Sequence, residues 1–301
     1  MKECTTVNTQ NIDVSIIIVT YNNAKYITAC IENIHEALDN LRAEILVIDN
    51  CSSDNCTEIA LAASPLVKLI KNKKNVGFAA AVNQGLAASL ADTLLLLNSD
   101  VLINKDALHA LVAACQDAAK KLFSPTIVNV DGSFQETSLG LFPTFPVLLA
   151  DELLPHRLAK ALGLRTMFDN FNAQKTPCYE WLSGACLALH RRVYEKVGPF
   201  DEKFFMYFED VDFCKRASER GIASQLCSDI SVLHIGGASF AYINGIRDRN
   251  NYVTQSYFTY IKKHESPLVF FFFKLIVRMG RGLRLCNKLF QTFHAKYSSP
   301  K

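Results

Sequence analysis

Long apolar runs, close cysteine pairs, glycine-rich phosphate loops and a strong net charge are all missing from this 301-residue sequence. No charge-free apolar stretch reaches the roughly 20 residues that a membrane-spanning helix needs, so none is expected. Ten cysteines are present, but no two are spaced as CxxC, and the closest two are Cys51 and Cys56. Cys30, Cys115 and Cys186 lie in apolar runs, where a free thiol behaves as a small hydrophobe; the chain reads as reduced and cytosolic. Met1 to Asp13 is polar and the run from Val14 to Val19 is short and β-branched, so no signal peptide is expected. A net charge of +3 gives no argument for a nucleic-acid partner. Gly and Pro are scarce while hydrophobic residues make up 50%, which excludes disorder and allows one large core or two modest ones. Neither an internal repeat nor a low-complexity segment interrupts the chain.

What is present is alternation. VSIIIVT (Val14 to Thr20), EILVID (Glu44 to Asp49), VKLIK (Val67 to Lys71) and TLLLL (Thr93 to Leu97) read as buried strands. Between them, Ala24 to Leu38 and Phe78 to Leu90 have helical spacing, and Asp54 is placed to cap a helix in NCTEIALAA. Strands alternating with helices imply right-handed crossovers and an α/β fold with a mostly parallel, Rossmann-like sheet flanked by helices. Ligands of such sheets collect at the carboxyl ends of the strands. Three strands there run into polar residues: TYNN (Thr20 to Asn23), DNCSSD (Asp49 to Asp54) and NSD (Asn98 to Asp100). Asp131 to Pro177 has four prolines and no sustained period, and reads as an irregular excursion.

The densest chemistry lies in YFEDVDFCKR. Glu209, Asp210 and Asp212 open a helix-like run, a position that the helix macrodipole favours for carboxylates. The flanking Phe204, Phe205, Tyr207, Phe208 and Phe213 also supply an apolar pocket, where desolvation and mutual repulsion raise a carboxylate toward the pKa of a useful base. His234, in VLHIGG, is either a structural loop residue or, paired with Asp100, a ligand for a divalent ion carrying a phosphate-rich group. NVGFAAAVNQG (Asn75 to Gly85) is neither GxGxxG nor a Walker A loop, and reads as a small-residue helix packed closely on the sheet.

In order and spacing, SIIIVTYNN, ILVIDNCSSD, NVGFAAAVNQGL, LLLLNSD, WLSGACLALHRR, GPFDEKFFMYFEDVDFCKR and VLHIGG closely resemble glycosyltransferase family 2, in particular its bacterial rhamnosyltransferase-like members. The resemblance implies a GT-A fold over residues 1–265, with a nucleotide-sugar-binding half (14–101) and a metal and acceptor half (102–265). It implies inverting transfer of a sugar, best matched to L-rhamnose from dTDP-rhamnose, to a hydroxyl of a lipid-linked surface polysaccharide. The alternative is a non-catalytic nucleotide-sugar-binding protein of the same fold. By the same carry-over, Thr20, Tyr21, Asn22, Asp49, Asn83, Asn98 and Ser99 border the nucleotide-sugar donor, and Asp100 with His234 holds Mg2+ or Mn2+. Asn98 stands where the family's DxD motif has its first carboxylate, and contributes no charge. Asp210 matches the catalytic base, with Glu209, Trp181 and Asp212 on the side of the glycan or glycolipid acceptor.

Residues 266–301 form a basic tail. From Lys262 onward there are nine Lys and Arg against one acidic residue, Glu265. On a helical wheel Lys274, Arg278, Arg281, Arg284 and Lys288 share one arc, and Leu275, Met279, Leu283, Cys286, Leu289, Phe290 and Phe293 the other. This is the pattern of an amphipathic helix lying on an anionic membrane surface, and also of a helix packed on its own domain with a solvated basic face. The first reading makes the protein peripheral on the inner face of the cytoplasmic membrane.

Overall fold

A computed structural model describes residues 12–117, 120–144, 146–147, 158, 179–235 and 246–278. Strands β1 (Val14–Thr20), β2 (Ala43–Asp49), β3 (Val67–Lys71) and β4 (Thr93–Leu97) alternate with helices α1 (Ala24–Leu38), α2 (Cys56–Ala63) and α3 (Phe78–Ala88). They pair in parallel in the order β3-β2-β1-β4, in a register that sets Thr20 beside Asp49. Both faces of this sheet are buried: Ile16, Ile18, Ile45 and Val47 are fully covered on one, packed with Ile27, Ile31 and Ile34 of α1, and Ile17, Leu46 and Ile48 are covered on the other. α3 lies close on the other side. A side-chain carbon at Gly85 would come within 2.5 Å of Ile17 and 2.8 Å of Ile48, so the small-residue helix is what permits this approach.

The sheet continues less regularly. After β5 (Val101–Leu102) and α4 (Lys105–Asp117) come β6 (Lys121–Val128), the short β7 (Leu139–Gly140) and β8 (Trp181–Leu182), and β9 (Cys186–His190). α5 (Arg191–Val197), α6 (Glu209–Ser218), β10 (Ala223–His234) and α7 (Ile246–His264) follow. β9 enters antiparallel between β4 and β6, β10 adds in parallel to β6, and β5 closes the edge antiparallel to β10. The sheet is therefore parallel on the β1 side and mixed beyond β4.

The chain divides into two compact units, one of residues 1–140 and 179–257, the other of 141–178 and 258–301. Residues 131–140 of the irregular excursion belong to the first unit and are ordered, through a 3-10 turn at Glu136–Ser138 and strand β7. In the second unit, residues 267–278 are helical; Ser266 caps them by accepting from the Val269 N–H at 3.3 Å, and Pro267 occupies the first turn. Met279 to Phe293, which complete the expected amphipathic wheel, lie outside the described residues.

Candidate active site

The three polar strand ends are tied into one surface. The Asn22 N–H donates to Ser52 Oγ at 2.9 Å, and Asn22 Oδ1 accepts from the Ser53 N–H at 2.7 Å. Asn23 Nδ2 donates to Ser99 Oγ, joining the first loop to the NSD turn after β4. Asp54 holds two helix starts at once: its carboxylate accepts from Cys56 N–H in α2 and from Ala24 N–H in α1. Asn22 keeps a positive φ of 52°, a conformation that asparagine tolerates better than most residues.

Within this surface Asp49 is fully buried; one carboxylate oxygen accepts from the Ser52 N–H at 2.9 Å, and the other, Oδ2, has no partner. Asn23 Oδ1 is likewise buried without one. Unsatisfied buried acceptors are costly, and ones at the carboxyl end of a parallel sheet are suited to the donors of a ligand. Thr20 is buried beside Asp49, while Tyr21 is half-buried. The Asn98 N–H donates to the Ala185 carbonyl at 2.9 Å, and its side chain stays half-buried at the turn.

Asp100 and His234, 134 positions apart in sequence, meet: the His234 Nε2 lies 3.2 Å from Asp100 Oδ1. β10 pairs with β5, so His234 faces Val101 across the ladder, and the Ile235 N–H donates to the Asp100 carbonyl at 3.0 Å. A carboxylate and an imidazole, 5% and 14% exposed, are a donor set suited to a divalent cation of the Mg2+ or Mn2+ kind. Among the described residues no group of three His, Cys, Asp or Glu side chains gathers around a common point, so two protein ligands leave most positions to other oxygens, such as a diphosphate.

The acidic cluster opens α6. Asp210 Oδ2 accepts from the Gly184 N–H at 2.9 Å and Oδ1 from the Val211 N–H at 2.8 Å. Burial raises the Asp210 carboxyl above its ordinary value, and these amide donors oppose the rise. Burial raises Glu209 further, well above a glutamate's usual range, with the charges of Asp210 and Asp212 adding to it; its Oε2 is buried and unpartnered. The WLSGA segment joins the two clusters, since Gly184 binds Asp210 and the next residue, Ala185, binds Asn98 of the NSD turn.

The loop before α6 is strained and clamped. Tyr207 and Phe208 take φ values of 68° and 64°, which cost on the order of 1–3 kcal/mol each for non-glycine residues. Three contacts hold it: the Phe78 N–H donates to the Phe205 carbonyl at 2.7 Å, the Ser256 hydroxyl donates to the Met206 carbonyl at 2.7 Å, and Phe205 stacks on Tyr252. Gly77, at φ 88°, is required here, because a side-chain carbon would sit 2.7 Å from the Phe205 carbonyl oxygen. NVGF is therefore the latch of this loop, a role invisible in its sequence.

Two expected site residues have other duties. Asp212 is fully buried and pairs with Arg216 Nε at 2.8 Å, while the same guanidinium donates to the Val197 and Pro199 carbonyls. In this structure Asp212 is thus held by Arg216 below the surface. Asn83 gives its amide to the Phe200 carbonyl and Glu202 and accepts from the Phe200 N–H. It lines an open cleft of about 600 Å³ with Lys74, Gln84 and Phe205, which none of Asp49, Asp100, Asp210 or His234 borders. Trp181 is 4% exposed on β8, next to Leu182, whose N–H meets Cys214 Sγ of α6.

Comparison with known proteins agrees with this fold. By structure the chain is similar to the mannosyltransferase PcManGT from Pyrobaculum calidifontis in complex with GDP-Man and Mn2+, with a TM-score of 0.56, 18% identity and coverage of 89% of this chain and 68% of that one. It is also similar to GalNAc-T7 with UDP, GalNAc and Mn2+, at a TM-score of 0.55 and 18% identity, covering 73% of this chain and 42% of that one. The fold is that of the GT-A glycosyltransferases. The family model described as Glycosyl transferase family 2 matches residues 15–198, more than half of the chain, and the protein belongs to that family. Curated relatives include the N-acetylglucosaminyl-diphospho-decaprenol L-rhamnosyltransferase of Mycobacterium tuberculosis, 27% identical over 73% of this chain and 75% of its own. The dTDP-rhamnosyl transferase RfbF of Shigella flexneri is 25% identical over 86% of this chain and 83% of its own.

Proposed function

We propose that this glycosyltransferase is an inverting, metal-dependent enzyme that moves L-rhamnose from dTDP-rhamnose to a hydroxyl of a lipid-linked polysaccharide. The observation that carries the reading is Asp210, a carboxylate oriented by the Gly184 and Val211 amides, raised by burial toward the range of a base, and tied through Gly184 and Ala185 to the NSD turn. Asp210 takes the proton of the acceptor hydroxyl as that oxygen attacks the anomeric carbon from the face opposite the leaving diphosphate. Glu209 beside it, its carboxyl raised well above the usual range by burial, and Trp181 shape the acceptor side. Asp49 Oδ2 accepts from the base or ribose of the donor, Thr20, Tyr21 and Asn22 border the nucleotide, and Asn98 and Ser99 lie along the diphosphate. Asp100 and His234 would hold the cation, which would supply charge neutralisation and Lewis acidity to the leaving diphosphate. The donor and acceptor are those of the rhamnosyltransferase relatives.

The test is release of nucleoside diphosphate by purified protein supplied with dTDP-rhamnose and Mn2+, alongside a thermal-shift screen of other nucleotide sugars. Release that stops with excess EDTA supports the reading. Binding without release under every condition, acceptor extracts included, would instead favour a non-catalytic nucleotide-sugar-binding protein.

Membrane association forms part of the same reading. Among the described residues no helix is long and apolar enough to cross a membrane. On the helix over 267–278, however, Leu268, Phe271, Phe272 and Leu275 are exposed while Phe273, Ile276 and Val277 are buried. Leu275 thus lies on an exposed apolar row, near the exposed Lys274 and Arg278, where it meets an anionic lipid surface together with the basic tail. Replacing Phe271 and Phe272 by Ser should weaken co-sedimentation with anionic vesicles by about 3 kcal/mol, roughly 100-fold. Unchanged recovery, equal on neutral vesicles, removes the membrane from the account.

A further inference from the structure

The turn after β6 is built toward His234. The chain reverses at Asn129 to Ser133 and pairs back at Val128 and Phe134, with the Asn129 N–H donating to the Ser133 carbonyl at 2.8 Å and the Gly132 N–H to the Asn129 carbonyl at 2.9 Å. The Gln135 N–H then donates to the Ile127 carbonyl at 3.0 Å, fixing the backbone of that residue against the strand.

The side chains of the turn form a directed series. The Ser133 hydroxyl donates to Asp131 Oδ1, so it accepts from Asn129 Nδ2 at 3.0 Å. Asn129 Oδ1 is then free to accept from Gln135 Nε2 at 3.1 Å, which turns the Gln135 carbonyl oxygen toward His234 Nδ1 at 2.7 Å. The order of donors assigns both amide orientations. A carbonyl oxygen only accepts, so Nδ1 carries the hydrogen and Nε2 of the neutral imidazole carries a lone pair. In the neutral ring that lone pair faces the Asp100 carboxylate across 3.2 Å, so that a cation between them would meet two acceptors.

We propose that Gln135, oriented by Asn129, is a positioning residue that fixes the tautomer and ring orientation of His234 so that Nε2 is presented with Asp100 to a divalent cation. The inference rests on the metal-dependent reading above and adds to it a function for the Asn129–Gln135 turn. Partners of this kind, bonded to the far nitrogen of a ligating histidine, typically change metal affinity 10–100-fold when removed.

The test is Mn2+ binding to the full chain, read from the electron paramagnetic resonance signal of free Mn2+, in the presence of whichever of dTDP and UDP gives the larger thermal shift. Gln135→Met keeps the length of the side chain and removes the acceptor, and should weaken Mn2+ binding about 10-fold or more. Gln135→Glu restores an acceptor and should stay within about threefold of wild type. Asn129→Ala, which releases the Gln135 amide, should fall between them, and carries the comparison with Gln135→Glu if Gln135→Met does not fold. Metal-free melting temperatures should be alike, which a merely structural role would not give. Wild-type Mn2+ affinity in Gln135→Met, or a loss in Gln135→Glu as large as in Gln135→Met, overturns the proposal. His234→Ala separates the two levels: undiminished Mn2+ binding there brings down the metal site itself, whereas loss there with none in Gln135→Met brings down only the role of Gln135.

Discussion

The two halves of the sheet are assembled by different rules. From β1 to β4 successive strands are joined by helices and pair in parallel, so Thr20, Asp49 and Asn98 come to one end of the sheet through short crossovers. From β9 to β5 the neighbours come from remote parts of the chain, and antiparallel and parallel pairs alternate. The first half offers buried, unpartnered acceptors to a ligand, as at Asp49. The second supplies raised carboxylates and the imidazole, at Glu209, Asp210 and His234. Under the proposed function, holding and reacting would be separated along the sheet, with the NSD turn as the seam.

If that separation is real, substitutions in the two halves should fail differently. Asp210→Asn should lower the rate of transfer on the order of 10²-fold or more while leaving donor affinity within a few-fold, because a lost general base changes the transition state and not the nucleotide contacts. A rate above about a tenth of wild type would break the comparison at its reactive end. Asp49→Ala should do the reverse. It should weaken donor binding about 10-fold, the range for a lost hydrogen bond to a charged group, with a smaller change in kcat. A kcat effect equal to the binding effect would show that the halves do not divide the work.

A smaller effect concerns pH. The Glu209 carboxyl is raised above its ordinary 4.5 mainly by burial, so the folded state holds its proton more tightly than the unfolded chain does. The stability this proton contributes is complete below the unfolded value and is lost as pH rises through the folded one. Glu209→Gln cannot ionise, so its melting temperature should exceed that of wild type by a few degrees in mildly alkaline buffer and converge with it toward pH 4.5. A variant less stable at every pH would mean that the Glu209 carboxylate is wanted charged.

The same division explains what could be read in advance. β1 over Val14–Thr20, α1 over Ala24–Leu38 and β4 over Thr93–Leu97 fall where apolar spacing places them, because each depends on its own burial pattern and on a neighbour close in sequence. Asp100 and His234 were nameable as residue types, but their meeting depends on β5 pairing with β10, which no local pattern encodes. Asp212 looks like its neighbours Glu209 and Asp210 in sequence; one turn of helix later Arg216 decides that it is a structural anion. Gln135 gave no signal at all, since an ordinary polar residue in an aperiodic segment becomes meaningful only when a turn carries it to a histidine. NVGF was legible as close packing, but its latch on Phe205 was not.

The central claim is that Asp210 acts as base from the face opposite the leaving diphosphate. The anomeric configuration of the product measures this most directly, read by proton NMR from transfer of the sugar of the accepted nucleotide donor to its acceptor. The account predicts a product whose anomeric configuration is opposite to that of the donor, formed by the wild type and lost in Asp210→Asn. Retention of the donor's configuration would contradict it.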